Sequence, residues 1–146
     1  MNPYHVAARE PKREFFRSMN VPSDGDARRK SPLRILEIGA ASGYNFEFYP
    51  PGSQLSVIEL NPHFEKLFFE KQALHPHIRM ERFVVGSAED MKDIEDNSFD
   101  VVVSTMVLCS VKNVERVLKE IQRVLVPVNS IFNFSATLKK NKVYFH

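Results

Sequence analysis

From Leu33 onward, short apolar runs alternate with longer amphipathic stretches, the pattern of β-α-β units that feed a parallel sheet. The runs predict strands at Leu33–Ile38, Leu55–Leu60, Phe83–Val85 with a start as early as Ile78, and Phe99–Thr105. A fifth is expected at Ile131–Leu138. Their apolar content is continuous rather than alternating, which implies strands covered on both faces. Between the second and third runs, Asn61 followed by Pro62 reads as a helix cap with proline at the first helical position, and Phe64, Leu67, Phe68 and Leu74 supply the apolar stripe. After the fourth run, Val114, Val117, Leu118, Ile121, Val124 and Leu125 keep a 3.6-residue period from about Asn113 to Leu125, which predicts a helix. The fold class is therefore α/β, a Rossmann-like open parallel sheet of about five strands flanked by helices.

Residues 1–32 differ. They hold the charged stretch Arg9–Arg17, a turn-rich Pro22–Asp26 and the basic triplet Arg28-Arg29-Lys30, and they read as a short helix at about 9–19 followed by a solvated linker. Residues 33–127 form the core, and 128–146 a tail with that possible edge strand. The chain of 146 residues, 43% hydrophobic with twelve Phe, is large enough for one core. A net charge of +2 is too small to suggest a nucleic-acid or membrane footprint, and the basic triplet lacks interleaved aromatics. A single cysteine, Cys109, leaves no internal disulfide framework and suits a reducing compartment, so a cytoplasmic location is expected. Neither a signal peptide nor a membrane span is read from the sequence. No metal site is assigned.

The chemistry gathers where the first strand ends. In Glu37-Ile38-Gly39-Ala40-Ala41-Ser42-Gly43 a strand runs straight into a turn with two glycines four apart. The carboxyl end of a strand in an open parallel sheet borders the crevice where ligands bind, and glycine lets the backbone take positive φ and approach a ligand closely. The G-x-x-x-G spacing differs from the dinucleotide fingerprint and lacks the P-loop Lys and Ser/Thr, which disfavours a pyrophosphate ligand and a nicotinamide oxidoreductase. Glu59, with Leu60 beside it, ends the second strand where a carboxylate can accept hydrogen bonds from both hydroxyls of a ribose. A nucleoside cofactor follows from the pair, and a plain strand-to-helix turn is the competing reading. The loop after the third strand, Gly86-Ser87-Ala88-Glu89-Asp90-Met91, suits an adenine, its edge met by Ser87, Ala88 and Glu89 and its face by Met91. It also reads as a helix start with Ser87 as cap. Thr105, Met106 and Cys109 follow the fourth strand and are expected to wall the acceptor side, with Cys109 a small buried hydrophobe. His63, His75 and His77 are given no catalytic role.

These strings resemble a known family. Glu-x-Gly-x-x-x-Gly, an acidic second-strand end, Gly-x-Ala-Glu, Asn97–Val103 and Arg123-Val124-Leu125-x-Pro127 are similar to class I methyltransferases of the type-eleven kind. Asn45-Phe46-x-Phe48-Tyr49-Pro50-Pro51-Gly52, Asn61–Lys66, Glu81–Val85 and Val107–Asn113 resemble the alkyl-thiol S-methyltransferases of the methyltransferase-like-seven group, over roughly Pro11 to Pro127.

The resemblance implies S-adenosyl-L-methionine as cofactor, held by Glu37, Gly39, Ala41, Gly43, Glu59, Leu60, Ser87, Ala88, Glu89 and Thr105, and a small alkyl thiol as methyl acceptor. Methyl transfer from a sulfonium to a thiolate annihilates two charges, so orientation and a dry pocket lower the barrier without an obligatory base. Ala41 stands where the family has a middle glycine, which is expected to weaken cofactor binding. Pro127-Val128-Asn129-Ser130 replaces the family's Pro-Gly-Gly, and the resemblance leads to the expectation that the family's last strands and its amino-terminal apolar anchor are lacking. A truncated, weakly active chain is therefore expected. The alternative is a non-catalytic module that binds the cofactor or a partner.

Overall fold

Four of the apolar runs form strands: β1 (Arg34–Ile38), β2 (Gln54–Glu59), β3 (Arg79–Val85) and β4 (Val101–Ser104). The computed structural model describes residues 32–127 together with Lys12, Arg13 and Phe16. The strands pair in parallel in the order β3-β2-β1-β4, an open sheet in which the chain leaves β1 to one side and returns to its other side at β4. That reversal puts a crevice at the carboxyl ends of β1 and β4, where the strand order changes direction. The expected fifth strand, the linker and the tail lie outside the described residues. Lys12, Arg13 and Phe16 are helical; the rest of the stretch expected to form a helix at about 9–19 lies outside the described residues.

Both faces of the sheet are covered, as continuous apolar strands require. Ile35, Leu55, Val57, Val101 and Val103 pack on one face with Phe16, Phe46, Tyr49 and Phe68. Leu36, Ile38, Ile58 and Val102 pack on the other with Met91, Val117, Ile121, Val124 and Leu125. β3 departs from this rule: it is an edge strand, and of its residues Arg79, Glu81, Arg82 and Val85 are exposed. Its apolar half alone, Phe83–Val85, carried the strand signal in the sequence.

The two helices fulfil their patterns unequally. α1 (Phe64–Gln72) buries only Phe68, while Leu67 and Leu74 from the expected stripe are 50% and 77% exposed. Asn61 does not cap it directly; its side chain accepts from the His63 amide in a turn that precedes the helix. α2 (Val114–Val124) buries Val117, Ile121 and Val124, and the Asn113 side chain caps it by accepting from the Arg116 amide at 3.0 Å. Arg123 then anchors the segment before β4, donating to the carbonyls of Met91 and Ile94, both at 2.8 Å.

Candidate functional site

The loops that leave all four strands converge on one cleft of about 640 Å³ at the carboxyl end of the sheet. Gly39 and Ala41 come from the loop after β1, Glu59, Leu60 and Asn61 from the end of β2, Gly86–Glu89 from the loop after β3, and Met106, Val107, Ser110, Val111 and Lys112 from the loop after β4. A cleft of this size matches the volumes that hold nucleotide-sized ligands.

The turn after β1 has the shape the glycines foretold. Gly39 and Gly43 have φ of 67° and 78°. A side chain at Gly39 would collide with Val107, and one at Gly43 with the ring of Phe46, so neither position accepts a Cβ. Ala41 lies between them at φ 48°, in the left-handed region where alanine is strained by about 1 kcal/mol relative to glycine. The middle position therefore does call for the conformation that glycine favours.

Glu59 is 7% exposed, and both its oxygens are engaged by backbone. Oε2 accepts from the Ala41 amide at 2.9 Å and Oε1 from the Asn61 amide at 3.0 Å, so this side chain ties the first loop to the second. A carboxylate has about four acceptor sites, which leaves capacity for hydroxyl donors from a ligand. Glu89 does the corresponding job across the cleft: Oε1 accepts from the Lys112 amide at 2.7 Å and joins the third loop to the fourth. Ser87 accepts from the Glu89 amide at 3.2 Å. It caps a turn, and no helix follows it.

Beneath the turn lies a second polar group of residues that does not line the cleft. Glu37 is 1% exposed, and its Oε1 accepts from the Asn45 side-chain amide at 2.7 Å. The same amide nitrogen donates to Thr105 Oγ1 at 3.1 Å, and the Asn45 carbonyl oxygen accepts from Lys12 Nζ at 3.0 Å. Glu37 Oε2, the Tyr49 hydroxyl and the Ser104 hydroxyl are buried without a hydrogen bond of good geometry. Burial pushes the Glu37 carboxyl up to about 7, against the opposing influence of Tyr49, Asn45 and Lys12. Burial likewise lowers the Lys12 ammonium and raises the Tyr49 hydroxyl.

Of the ten residues expected at the cofactor site, Gly39, Ala41, Glu59, Leu60, Ser87, Ala88 and Glu89 line the cleft. Glu37, Gly43 and Thr105 are not among the residues that line it. Asn61, Phe64, Val107, Ser110, Val111 and Lys112 were not expected at the site, although each lies in a segment that follows a strand the apolar runs marked. Met91 is a correction. Its amide donates to Glu120 at 2.7 Å and its carbonyl accepts from Arg123, which turns its side chain into the core at 1% exposure and away from any ligand face. Cys109 is another: it is exposed rather than buried, and its thiol donates to the Met106 carbonyl at 3.3 Å.

Comparison with known proteins gives this geometry a family. The chain is 42% identical over 129 residues to human thiol S-methyltransferase TMT1A, covering 88% of this chain and 51% of that one. It is 43% identical over 121 residues to human thiol S-methyltransferase TMT1B, covering 83% and 48%. It thus spans about half the length of these relatives. The fold is also that of CrArsM, an arsenic(III) S-adenosylmethionine methyltransferase from Chlamydomonas reinhardtii, at a TM-score of 0.57, 22% identity, and coverage of 77% of this chain and 46% of that one. The family model described as a methyltransferase domain matches residues 36–132. That match begins inside β1 and runs past α2, so it contains every residue that lines the cleft, and the chain belongs to the methyltransferase domain family.

Proposed function

We propose that the cleft binds S-adenosyl-L-methionine and that the chain serves methyl transfer to a small alkyl thiol. One observation carries the cofactor reading: Glu59 stands at the end of β2, held by two backbone amides beside a left-handed turn, with acceptor capacity left over. In this reading the carboxylate takes the ribose hydroxyls, Ser87, Ala88 and Glu89 meet the adenine edge, and the turn at Gly39–Ala41 receives the amino-acid end. The left-handed turn and the size of the cleft fit such a ligand.

When bound, the cofactor supplies an electrophilic methyl group. The chain's own part is to orient and to exclude water. Met106, Val107 and Val111 give the loop after β4 an apolar wall suited to a desolvated sulfur acceptor. A free thiol with pKa near 8.5 is already a few per cent thiolate at neutral pH, so no general base is assigned. The thiol acceptor rests on the names of the human relatives. No helix among the described residues is long and apolar enough to cross a membrane. The reading places the chain in the cytoplasm, acting on a small molecule rather than on nucleic acid.

Isothermal titration with S-adenosylmethionine, S-adenosylhomocysteine and NAD tests it. Binding of the first two without the third is expected, and NAD binding in their place would overturn the cofactor assignment. Methylation of a small alkyl thiol, followed with labelled cofactor, tests the acceptor separately.

A further inference from the structure

Lys12 lies in the stretch that the sequence presents as charged surface, yet it is 8% exposed and its ammonium reaches Asn45 Oδ1 at 3.0 Å. Phe16, one helical turn further on, lies against the same turn: its ring stacks on Phe48 with centroids 5.4 Å apart and meets Tyr49 edge-on at 5.2 Å. Two side chains of one helical face thus dock on the segment that follows the glycine turn.

The polarity of the hydrogen bonds gives this docking a purpose. An ammonium donates and cannot accept. Lys12 therefore fixes the Asn45 amide with its carbonyl toward the ammonium and its NH2 toward Glu37 Oε1 and Thr105 Oγ1, at 2.7 and 3.1 Å. With the amide flipped, two donors would face each other at Lys12. The Asn45 NH2 has two protons, and both are used. Glu37 is in turn held as an acceptor, and Thr105 is drawn to the same point from the end of β4. Without Lys12, a protonated Glu37 could donate to a flipped Asn45, and the floor of the turn would have two arrangements instead of one.

We propose that Lys12 is a positioning residue for the cofactor turn: through Asn45 it holds Glu37 of β1 and Thr105 after β4 in a single arrangement, so that the helical residues at Lys12 and Phe16 belong to the binding site. The effect on cofactor rests on the cofactor reading above, while the effect on the network does not.

The groups that face Glu37 are Lys12, Asn45, Tyr49 and Glu59, and those that face Lys12 are Glu37, Glu47 and Lys71. Removing the ammonium takes away an influence that favours the Glu37 carboxylate, so Glu37 holds its proton to higher pH. Two readouts on Lys12→Met and Lys12→Arg in the full chain decide the matter. Carbon-13 NMR of the Glu37 carboxyl is expected to show its midpoint moved upward in Lys12→Met and near the parent value in Lys12→Arg. Titration with S-adenosylhomocysteine at pH 7.5 is expected to show affinity about ten-fold weaker in Lys12→Met and within about three-fold of the parent in Lys12→Arg. An unchanged Glu37 midpoint in Lys12→Met would overturn the proposal. So would equal losses of affinity in both variants, which would make Lys12 a packing residue. If the parent chain binds no S-adenosylhomocysteine, the cofactor reading fails, and the Glu37 midpoint still judges the network.

Discussion

The rim of the cleft and the floor beneath its first turn each hold a buried glutamate on the same sheet face, and the two are treated differently. Glu59, 7% exposed at the rim, meets two backbone amides that the ends of β1 and β2 leave unpaired, so both its oxygens are engaged. Glu37, 1% exposed on the floor, lies inside β1, where the backbone amides are committed to the sheet. It must find its partners among side chains, and it finds one good donor and one near neighbour. The consequence is a carboxyl raised to about 7. Loop ends supply donors that strand interiors cannot, so the rim glutamate has both oxygens held by backbone amides while the floor glutamate is a titratable support.

The largest expected break in this comparison is Glu59→Ala. Two amides lose a charged acceptor at once, and the loops after β1 and β2 lose their tie. Stability is expected to fall by about 2–4 kcal/mol, and S-adenosylhomocysteine affinity by more than ten-fold, as read by urea denaturation and calorimetry. The fold itself does not depend on this side chain, so far-ultraviolet dichroism should stay near that of the parent. Unchanged stability would mean that the two amides are satisfied by water.

Glu37→Gln sharpens the other half. In the folded chain Glu37 holds its proton to about 7, against 4.5 as a free side chain. Between those values the folded state binds a proton that the unfolded state has released, so this group's contribution to stability is present below pH 4.5 and is lost as pH rises through 7. The loss amounts to about 3 kcal/mol at most. Glutamine removes the titration, so the variant is expected to gain on the parent as pH rises from 5 to 8, by about 2 kcal/mol in total. A difference between parent and variant that stays flat over this range would show that Glu37 is not held at a raised value.

Ala41→Gly is the smallest change. It relieves a left-handed alanine and leaves the amide that donates to Glu59 Oε2 in place. A gain of about 1 kcal/mol in stability is expected, with equal or tighter cofactor binding. A loss would show that the turn accepts alanine without strain.

Much of this was legible in the chain because it is local. Unbroken apolar runs announced β1, β2 and β4, Asn113 announced the start of α2, and Gly39 and Gly43 announced a turn that a Cβ would obstruct. Glu59 was marked by its place at a strand end, and it lines the cleft. What was not legible depends on which loops meet. Nothing in the stretch around Lys12 says which of its charges is buried, because its partner Asn45 lies 33 residues away along the chain. Glu89 and Lys112 are joined by a backbone amide, which leaves no mark on side-chain pattern. Met91 was misplaced because Glu120 and Arg123, far along the chain, decide which way it faces. The stripe on α1 misled because β3 is an edge strand and offers that helix little to cover.

The most direct test of the account is a double-mutant cycle between Glu59 and the ribose hydroxyls. Calorimetry would compare S-adenosylhomocysteine with its 2′,3′-dideoxy analogue on the parent chain and on Glu59→Gln. If this carboxylate receives those hydroxyls, the two changes are coupled by about 2 kcal/mol, because removing either partner already forfeits the interaction. Additive losses, with no coupling, would contradict the assignment of Glu59 to the ribose and with it the proposed placement of the cofactor.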